Sequence, residues 1–311
     1  MSTKKILVTG AAGFIGSHLC EELVNAGHTV VGMDNLSTGA ETNLPTHPQF
    51  SFFRGDVNTT DLQQLFAVHN FDWVFHYAAV VGVKRTLENP AAVLRDLEGI
   101  RQLLELCRKK SVGKVLFASS SEVYGEPLEL PEREEGPINA KLPYAVVKLA
   151  GEKYLEAYHR EFGLRTVALR LFNVYGPRQT STAYGFVAGI FLQQALAGKP
   201  LTLFGDGTQS RDFVYIRDNI AAAVQSMERK QTDGTVINVG SGTATTIKRL
   251  AEEVLSVTGS TSKLLFLAPR PFDIQQRYAD VTKFRKLIGY EFQYSLHQGL
   301  QETLEWMHRA Q

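Results

Sequence analysis

The segment "VTGAAGFIGSHL" constrains this chain more than any other. An apolar, β-branched run ends at Gly10, and Gly13 and Gly16 follow at intervals of three before an amphipathic stretch begins. Glycine lets a backbone turn tightly and come close to another group. A helix that starts straight after such a turn aims unpaired N–H groups, and the positive end of its dipole, at whatever occupies the turn. The pattern predicts a pyrophosphate site built from Gly10, Gly13, Phe14, Ile15 and Gly16. Many strand-to-helix turns contain two glycines and hold nothing, so position carries the weight: this turn follows the first strand and opens the first helix.

The rest of the first half repeats that beat. "KILVTG", "TVVGMDN", "FSFFRGDV", "DWVFHYAA", "KVLFASSS" and "RTVALRLFNVYG" read as six strands. "SHLCEELVNAG", "DLQQLFAVHN" and the long "PAAVLRDLEGIRQLLELCRKK" read as helices between them. Strict alternation predicts an α/β fold, a doubly wound parallel Rossmann sheet. After about Gly176 the rhythm loosens into shorter helices and strands, among them "GFVAGIFLQQALAG", "LTLFG" and "TVINVG". This predicts a dinucleotide-binding domain over residues 1–175 and a smaller mixed α/β C-terminal lobe over 176–311, with the chain free to cross between them and no flexible linker. With 311 residues and 44% apolar content, both share enough material for a large core.

Charge and cysteine usage narrow the class. A net charge of +1 gives no global pull towards nucleic acid or an acidic membrane surface. No apolar run approaches the roughly 20 residues of a membrane helix. The basic start mimics a signal peptide, but glycine breaks its apolar part and no small-residue cleavage pattern comes after it. Cys20 and Cys107 stand far apart, offer neither a disulfide framework nor metal-ligand spacing, and suit a reducing cytoplasm.

Asp34 closes the second strand eighteen residues after Gly16. An acid there accepts hydrogen bonds from an adenosine ribose and repels a 2′-phosphate, which favours NAD over NADP. The alternative is an Asp that only caps its turn with Asn35. Asp56 and Val57, in "GDV" after the third strand, fall near the adenine on the same logic, though Asp after a strand is also ordinary turn chemistry. Ala78 and Ala79, at the end of the fourth strand, complete the expected cofactor set.

"PYAVVK" sets Tyr144 and Lys148 four apart, on one face of a helix. An ammonium close to the phenol is expected to lower its pKa, so that it can take a proton from a sugar hydroxyl while hydride leaves for nicotinamide. Alone, Tyr-x-x-x-Lys is a frequent accident of an exposed aromatic and a solvated lysine. It gains meaning after the glycine turn and a serine-rich strand end.

These motifs together resemble the extended short-chain dehydrogenase/reductase family, in its branch of NAD-dependent nucleotide-sugar epimerases, dehydratases and decarboxylases. "TGAAGFIGSHL", "DNLSTG", "SSSEVYG", "YAVVK", "RLFNVYGPR", "FGDGTQSRDFVYIRD" and "PRPFDIQQRYAD" occur in the family's order along essentially the whole chain. The resemblance implies that Ser120 binds the reacting hydroxyl, Tyr144 is the base and Lys148 its partner on the nicotinamide ribose. It implies substrate contacts for Ser121 and Asn173, a diphosphate grip for Arg211 and Arg270, and a place for Asp273 near the nucleoside ribose. Guanidinium suits phosphate because its planar fork matches the oxygens. The family implies a UDP-linked sugar and a homodimer formed through the long helix from Pro90 and the helix of Tyr144. Two residues depart from the pattern: Asp96 stands where Asn is usual, and Tyr77 where Leu is common.

Glu122, in "FASSSEVYGE", divides the possible reactions. The family's shared first step makes a 4-keto sugar, which acidifies the hydrogen at C5. Related 4,6-dehydratases carry an acid in the slot matching Glu122, and decarboxylases a Ser-Glu pair matching Ser121 and Glu122. Many 4-epimerases carry a small or hydroxyl residue. Against elimination, the dehydratase pair is Asp-Glu, and Ser121 is no acid. Against a uronic acid, similar decarboxylases place Arg in the segment where this chain has Phe186. "DNLSTG" and the chain length resemble small bacterial UDP-glucose 4-epimerases. The expectation is a UDP-sugar 4-epimerase, with a 4,6- or 5,6-dehydratase using Glu122 as the alternative and a UDP-glucuronate decarboxylase or a non-catalytic NAD sensor behind it. Lys84 and Arg85 fall in a substrate-proximal loop, as sugar contacts or as solvated charges.

Overall fold

The computed structural model describes residues 3–81, 86, 88–179, 186–270 and 273–309. In the first half these form β1 (Lys5–Thr9), α1 (Phe14–Asn25), β2 (Thr29–Asp34), β3 (Phe50–Arg54), α2 (Asp61–Val68), β4 (Trp73–His76), α3 (Pro90–Leu94), α4 (Asp96–Lys109), β5 (Lys114–Ser120), α5 (Pro143–Phe162) and β6 (Thr166–Leu171). The second half contributes β7 (Asn173–Tyr175), α6 (Val187–Leu196), β8 (Leu201–Phe204), β9 (Ser210–Arg211), β10 (Phe213–Tyr215), α7 (Ile216–Glu228), β11 (Thr235–Val239), β12 (Thr245–Thr246), α8 (Ile247–Thr258), β13 (Leu264–Leu267), α9 (Thr282–Ile288) and α10 (Leu296–Arg309).

Seven parallel strands form one sheet in the order β11-β6-β5-β4-β1-β2-β3. Its central strands are covered on both faces, which is why β1 reads as an unbroken apolar run: Ile6, Leu7 and Val8 are all fully buried. Strand order reverses between β1 and β4, so the loops leaving those two strands diverge and open a crevice at their C-terminal ends. The glycine turn leaves β1 there, and Tyr77, Ala78 and Ala79 leave β4. α1 packs Leu19, Cys20 and Leu23 on the sheet and stops where Gly27 takes a positive φ of 86°. That conformation lets Gly27 N–H reach Val24 O and His28 N–H reach Leu23 O, both at 3.0 Å.

Three sequence expectations change. The long helix from Pro90 is two helices meeting at Arg95. The sixth strand is two: Phe172 interrupts it, and β7 leaves the main sheet to pair with β10. "TVINVG", expected in the lobe, becomes β11 and pairs with β6 at the edge of the main sheet. The apolar core on one sheet face is continuous with that of the second half, joining Leu19 and Leu23 to Phe191, Leu203 and Leu250. Lys114 braces the joint: its buried ammonium donates to Ser226 O, Arg229 O and Thr232 Oγ1 at 2.7–2.8 Å and pairs with Asp233 at 2.6 Å. These carbonyls close α7, where a cation opposes the negative end of the dipole.

Candidate active site

A cavity of about 770 Å³ runs from the glycine turn to the segment of Arg270. Every cofactor residue expected from the sequence lines it, from Gly10 through Asp34, Asn35, Asp56 and Val57 to Ala78 and Ala79. At two of its three glycines the turn has no room for a side chain. Gly10 has φ +74°, and a Cβ there would lie 2.8 Å from Ala78 N. A Cβ on Gly16 would lie 2.0 Å from Gly10 O, whereas one on Gly13 would meet only Gly10 O, at 3.2 Å. Gly13 therefore leaves its cavity face open beside the start of α1, which is the cradle a pyrophosphate needs. Asp34 is anchored by its own backbone surroundings. Its Oδ2 accepts from Ala12 N at 3.0 Å and its Oδ1 from Leu36 N at 2.7 Å. The carboxylate thus caps a turn and also lines the cavity. These residues fit NAD.

The catalytic candidates converge from β5 and α5. Ser120 ends β5, and its Oγ accepts from Glu122 N at 3.2 Å, capping the short 3-10 turn Ser121–Tyr124. Its hydroxyl proton is left for another acceptor. Tyr144 lies in the first turn of α5, after Pro143, and Lys148 one turn on. The Lys148 ammonium sits 5.5 Å from the centre of the Tyr144 ring and 4.9 Å from that of Phe117. Burial pushes the Tyr144 phenol above its usual range; hydrogen bonding to Ser120 opposes this, and the negative charges of Glu122 and Asp96 add to it. The expected lowering by Lys148 is therefore corrected: in this geometry the ammonium lies over the ring, and desolvation dominates. Burial also pulls Lys148 down to about 8, with Asp96 pulling the other way.

A buried network fixes this geometry from below, and no sequence pattern announces it. Glu152, one turn beyond Lys148, accepts from Ser119 Oγ at 2.5 Å and from Arg170 Nε and Nη2 at 2.9 and 2.8 Å. Arg170 Nη1 continues to Tyr124 OH at 2.9 Å. β5, α5 and β6 are thus pinned to one another beside Ser120. The forked arginine–carboxylate pair is the strong, directional form of such a contact.

Asn173, Arg211, Arg270 and Asp273 line the far end of the cavity. Arg211 Nη2 donates to Asp273 Oδ1 at 2.6 Å, and its Nη1 donates to Ser210 O and Ile274 O, so the two expected ligands hold each other. Arg270 stacks its guanidinium 3.7 Å from the centre of the Phe204 ring. Ser121 is a correction. It is buried and does not line the cavity, because the 3-10 turn directs it into the protein while its neighbours Ser120 and Glu122 face the opening. Lys84 and Arg85 lie outside the described residues.

The two departures have different structural consequences. Asp96 is buried and accepts from Val80 N at 2.8 Å and Asn58 Nδ2 at 3.1 Å, tying the loops after β3 and β4 to the start of α4. Burial raises its pKa. The Tyr77 hydroxyl is buried without a hydrogen-bond partner.

Glu122 faces the cavity with its side chain 40% exposed, but it does not stand alone. Its Oε1 accepts from Arg277 Nη1 at 2.5 Å, and Arg277 is only 1% exposed. Arg277 lies within "PRPFDIQQRYAD", yet no local signal marks it: its partner is 155 residues away.

A family model, the NAD dependent epimerase/dehydratase family, matches residues 6–240. The chain belongs to that family. It is an NAD-dependent nucleotide-sugar enzyme with a Rossmann fold. The chain is 37% identical over 309 residues to a UDP-glucose 4-epimerase of Mycolicibacterium smegmatis, covering 97% of this chain and 98% of that one. It is also 35% identical over 322 residues to a UDP-N-acetyl-alpha-D-glucosaminuronate decarboxylase of Bacillus cytotoxicus, covering 97% of each. Among solved structures, the UDP-glucose 4-epimerase of Thermotoga maritima with UDP-glucose superposes with a TM-score of 0.94 at 35% identity, covering 98% of this chain and 99% of that one. Family membership fixes the class of chemistry, and relatives of similar identity differ in the product they form.

Proposed function

We propose that this protein is a UDP-sugar 4-epimerase acting on a neutral hexose or its N-acetylated form through a transient 4-keto sugar. The observation that carries this reading is the Glu122–Arg277 pair. Elimination needs a carboxyl group free to reach the C5 proton or the departing oxygen, and Glu122 has its Oε1 committed to a buried guanidinium 2.5 Å away. Phe186 supports a neutral sugar: it lines the cavity, 45% exposed, and an apolar ring does not pair a uronic carboxylate. It also holds a left-handed φ of 70°, a strained backbone of the kind that clusters at binding sites.

In this reading Ser120 orients the C4 hydroxyl, Tyr144 takes its proton and later returns it, and Lys148 holds the nicotinamide ribose. NAD, when bound, supplies the hydride acceptor and its positive ring. Asp34 accepts the adenosine ribose hydroxyls. Asn173, Arg211 and Arg270 hold the nucleotide sugar, with Asp273 keeping Arg211 in place. The second reading, a dehydratase, keeps one observation in its favour: Glu122 does face the cavity. Proton NMR and mass of a panel of UDP-, dTDP- and GDP-sugars incubated with protein and NAD separate the two. Epimerisation yields a new sugar of unchanged mass; a product lighter by one water sinks it.

We also propose a homodimer through α4 and α5; on α5, Val146 and Phe162 are exposed large apolar side chains, 39% and 51% accessible. Light scattering at the mass of one chain would remove that proposal. No helix among the described residues is long and apolar enough to cross a membrane. Cys20 and Cys107 are buried free thiols, which fits the reducing cytoplasm where we place the enzyme.

A further inference from the structure

Arg277 is the largest fully buried side chain among the described residues, and its guanidinium is divided between two carboxylates. Nη1 takes Glu122, on the cavity wall. Nε stands 3.4 Å from Glu132 Oε1, whose side chain is 1% exposed. Nη2 donates to Gly125 O. Neither oxygen of Glu132 makes a hydrogen bond, and nor does Arg277 Nε. A buried carboxylate with one loose ion pair and no hydrogen bond is costly to keep ionised.

The charged groups around Glu132 reinforce that cost. Arg277 faces it from the segment before α9, Glu122 from the 3-10 turn after β5, and Asp212 from between β9 and β10. Asp212 is itself buried, accepting from Ser241 N, Gly242 N and Ala279 N. Glu134, two residues along from Glu132, is engaged elsewhere, accepting from Asn238 N at 2.8 Å. One cation therefore serves Glu132 against two like charges. Burial, opposed by Arg277 and assisted by Glu122 and Asp212, pushes Glu132 up to about 7.

We propose that Glu132 is a positioning residue for the sugar end of the cavity: as a neutral acid it leaves Arg277 wholly to Glu122, and as a carboxylate it competes for the guanidinium and adds a negative charge behind the sugar. The trio Glu132, Arg277 and Glu122 changes from net neutral to net negative in that step. Arg211 feels both Arg277 and Glu122, so a guanidinium drawn from Glu122 towards Glu132 alters the surroundings of the diphosphate grip as well. A nucleotide sugar carries two negative charges that do not titrate near neutrality, so its binding weakens as Glu132 ionises. Glu132 does not line the cavity, so turnover of the bound sugar is untouched and the effect falls on KM rather than kcat. This role rests on the reading that a UDP-sugar occupies the cavity.

The test is the calorimetric affinity of the NAD-loaded protein for UDP-glucose and UDP-N-acetylglucosamine in small steps from pH 6 to pH 8, with kcat measured alongside. The parent should bind about threefold to tenfold more weakly at the higher pH. Glu132→Gln should keep the pH 6 affinity throughout, with kcat unchanged. Glu122→Gln removes a like charge facing Glu132, so the transition should move to lower pH; this arm decides the matter if Glu132→Gln does not fold. Flat binding in the parent, the parent's pH dependence persisting in Glu132→Gln, or an unmoved transition in Glu122→Gln overturns the role. Failure to bind either sugar at both pH values overturns the substrate reading first, and this role with it.

Discussion

At the dinucleotide end of the cavity, Asp34 receives N–H bonds from Ala12 and Leu36, 22 and 2 residues away. At the sugar end, Glu122 is held by Arg277 across 155 residues. The first carboxylate is satisfied by backbone N–H groups, one in its own turn and one in the glycine turn beside it. The second depends on a buried cation shared with a third acid. An end assembled from neighbouring residues tolerates change elsewhere in the chain. An end assembled from distant charges is sensitive to each of its members, since removing one strands the others. Ser120, Tyr144 and Lys148 lie where the two ends meet.

The contrast predicts a ranked set of outcomes. Tyr144→Phe acts at the junction and should cost about 10³-fold in kcat while NAD stays bound, since only the proton carrier is lost. Steady-state kinetics with cofactor quantification checks both halves. Arg277→Met attacks the distant-charge end. It leaves Glu122 and Glu132 without their cation and should lower stability by about 3 kcal/mol or more, read as a fall in the denaturant midpoint. A midpoint like the parent's would mean that the two acids are indifferent to Arg277. Asp34→Asn attacks the local end and should be milder: NAD affinity falls about tenfold, discrimination against NADP weakens, and the fold is intact. Smallest is Asp96→Asn. The Lys148 ammonium, with a pKa of about 8, loses its proton as pH rises through that value, and Asp96 delays the loss. Removing the carboxylate should move the alkaline fall in kcat to lower pH, by about one unit or less. A shift towards higher pH would contradict this role for Asp96.

The same contrast decides how legible each part is in the sequence. The glycine turn, Asp34 and the Tyr144–Lys148 spacing are local patterns, and each residue except Ala11 and Ala12 of the turn lines the cavity. Strand and helix alternation implies the sheet, but not the break at Phe172 or the return of β11, because short apolar runs do not say which strand they will pair with. The Ser119–Glu152–Arg170 network and the Arg277 cluster are invisible for a physical reason. Their members are ordinary polar and charged residues in sequence, and only burial and a partner far along the chain make them exceptional. Ser121 is misplaced by a sequence reading because adjacent residues of a 3-10 turn point to different sides. Asp96 stands out as a departure, though its two hydrogen bonds need the fold to be seen.

The most direct test of the Glu122 assignment is the product formed by Glu122→Gln with UDP-glucose or UDP-N-acetylglucosamine and NAD, tracked by proton NMR and mass. The account predicts that the variant still forms a C4 epimer of unchanged mass, since the reacting proton moves through Tyr144. A variant that stops at the 4-keto sugar, beside a parent whose product has lost water, would contradict it and make Glu122 the acid or base of an elimination.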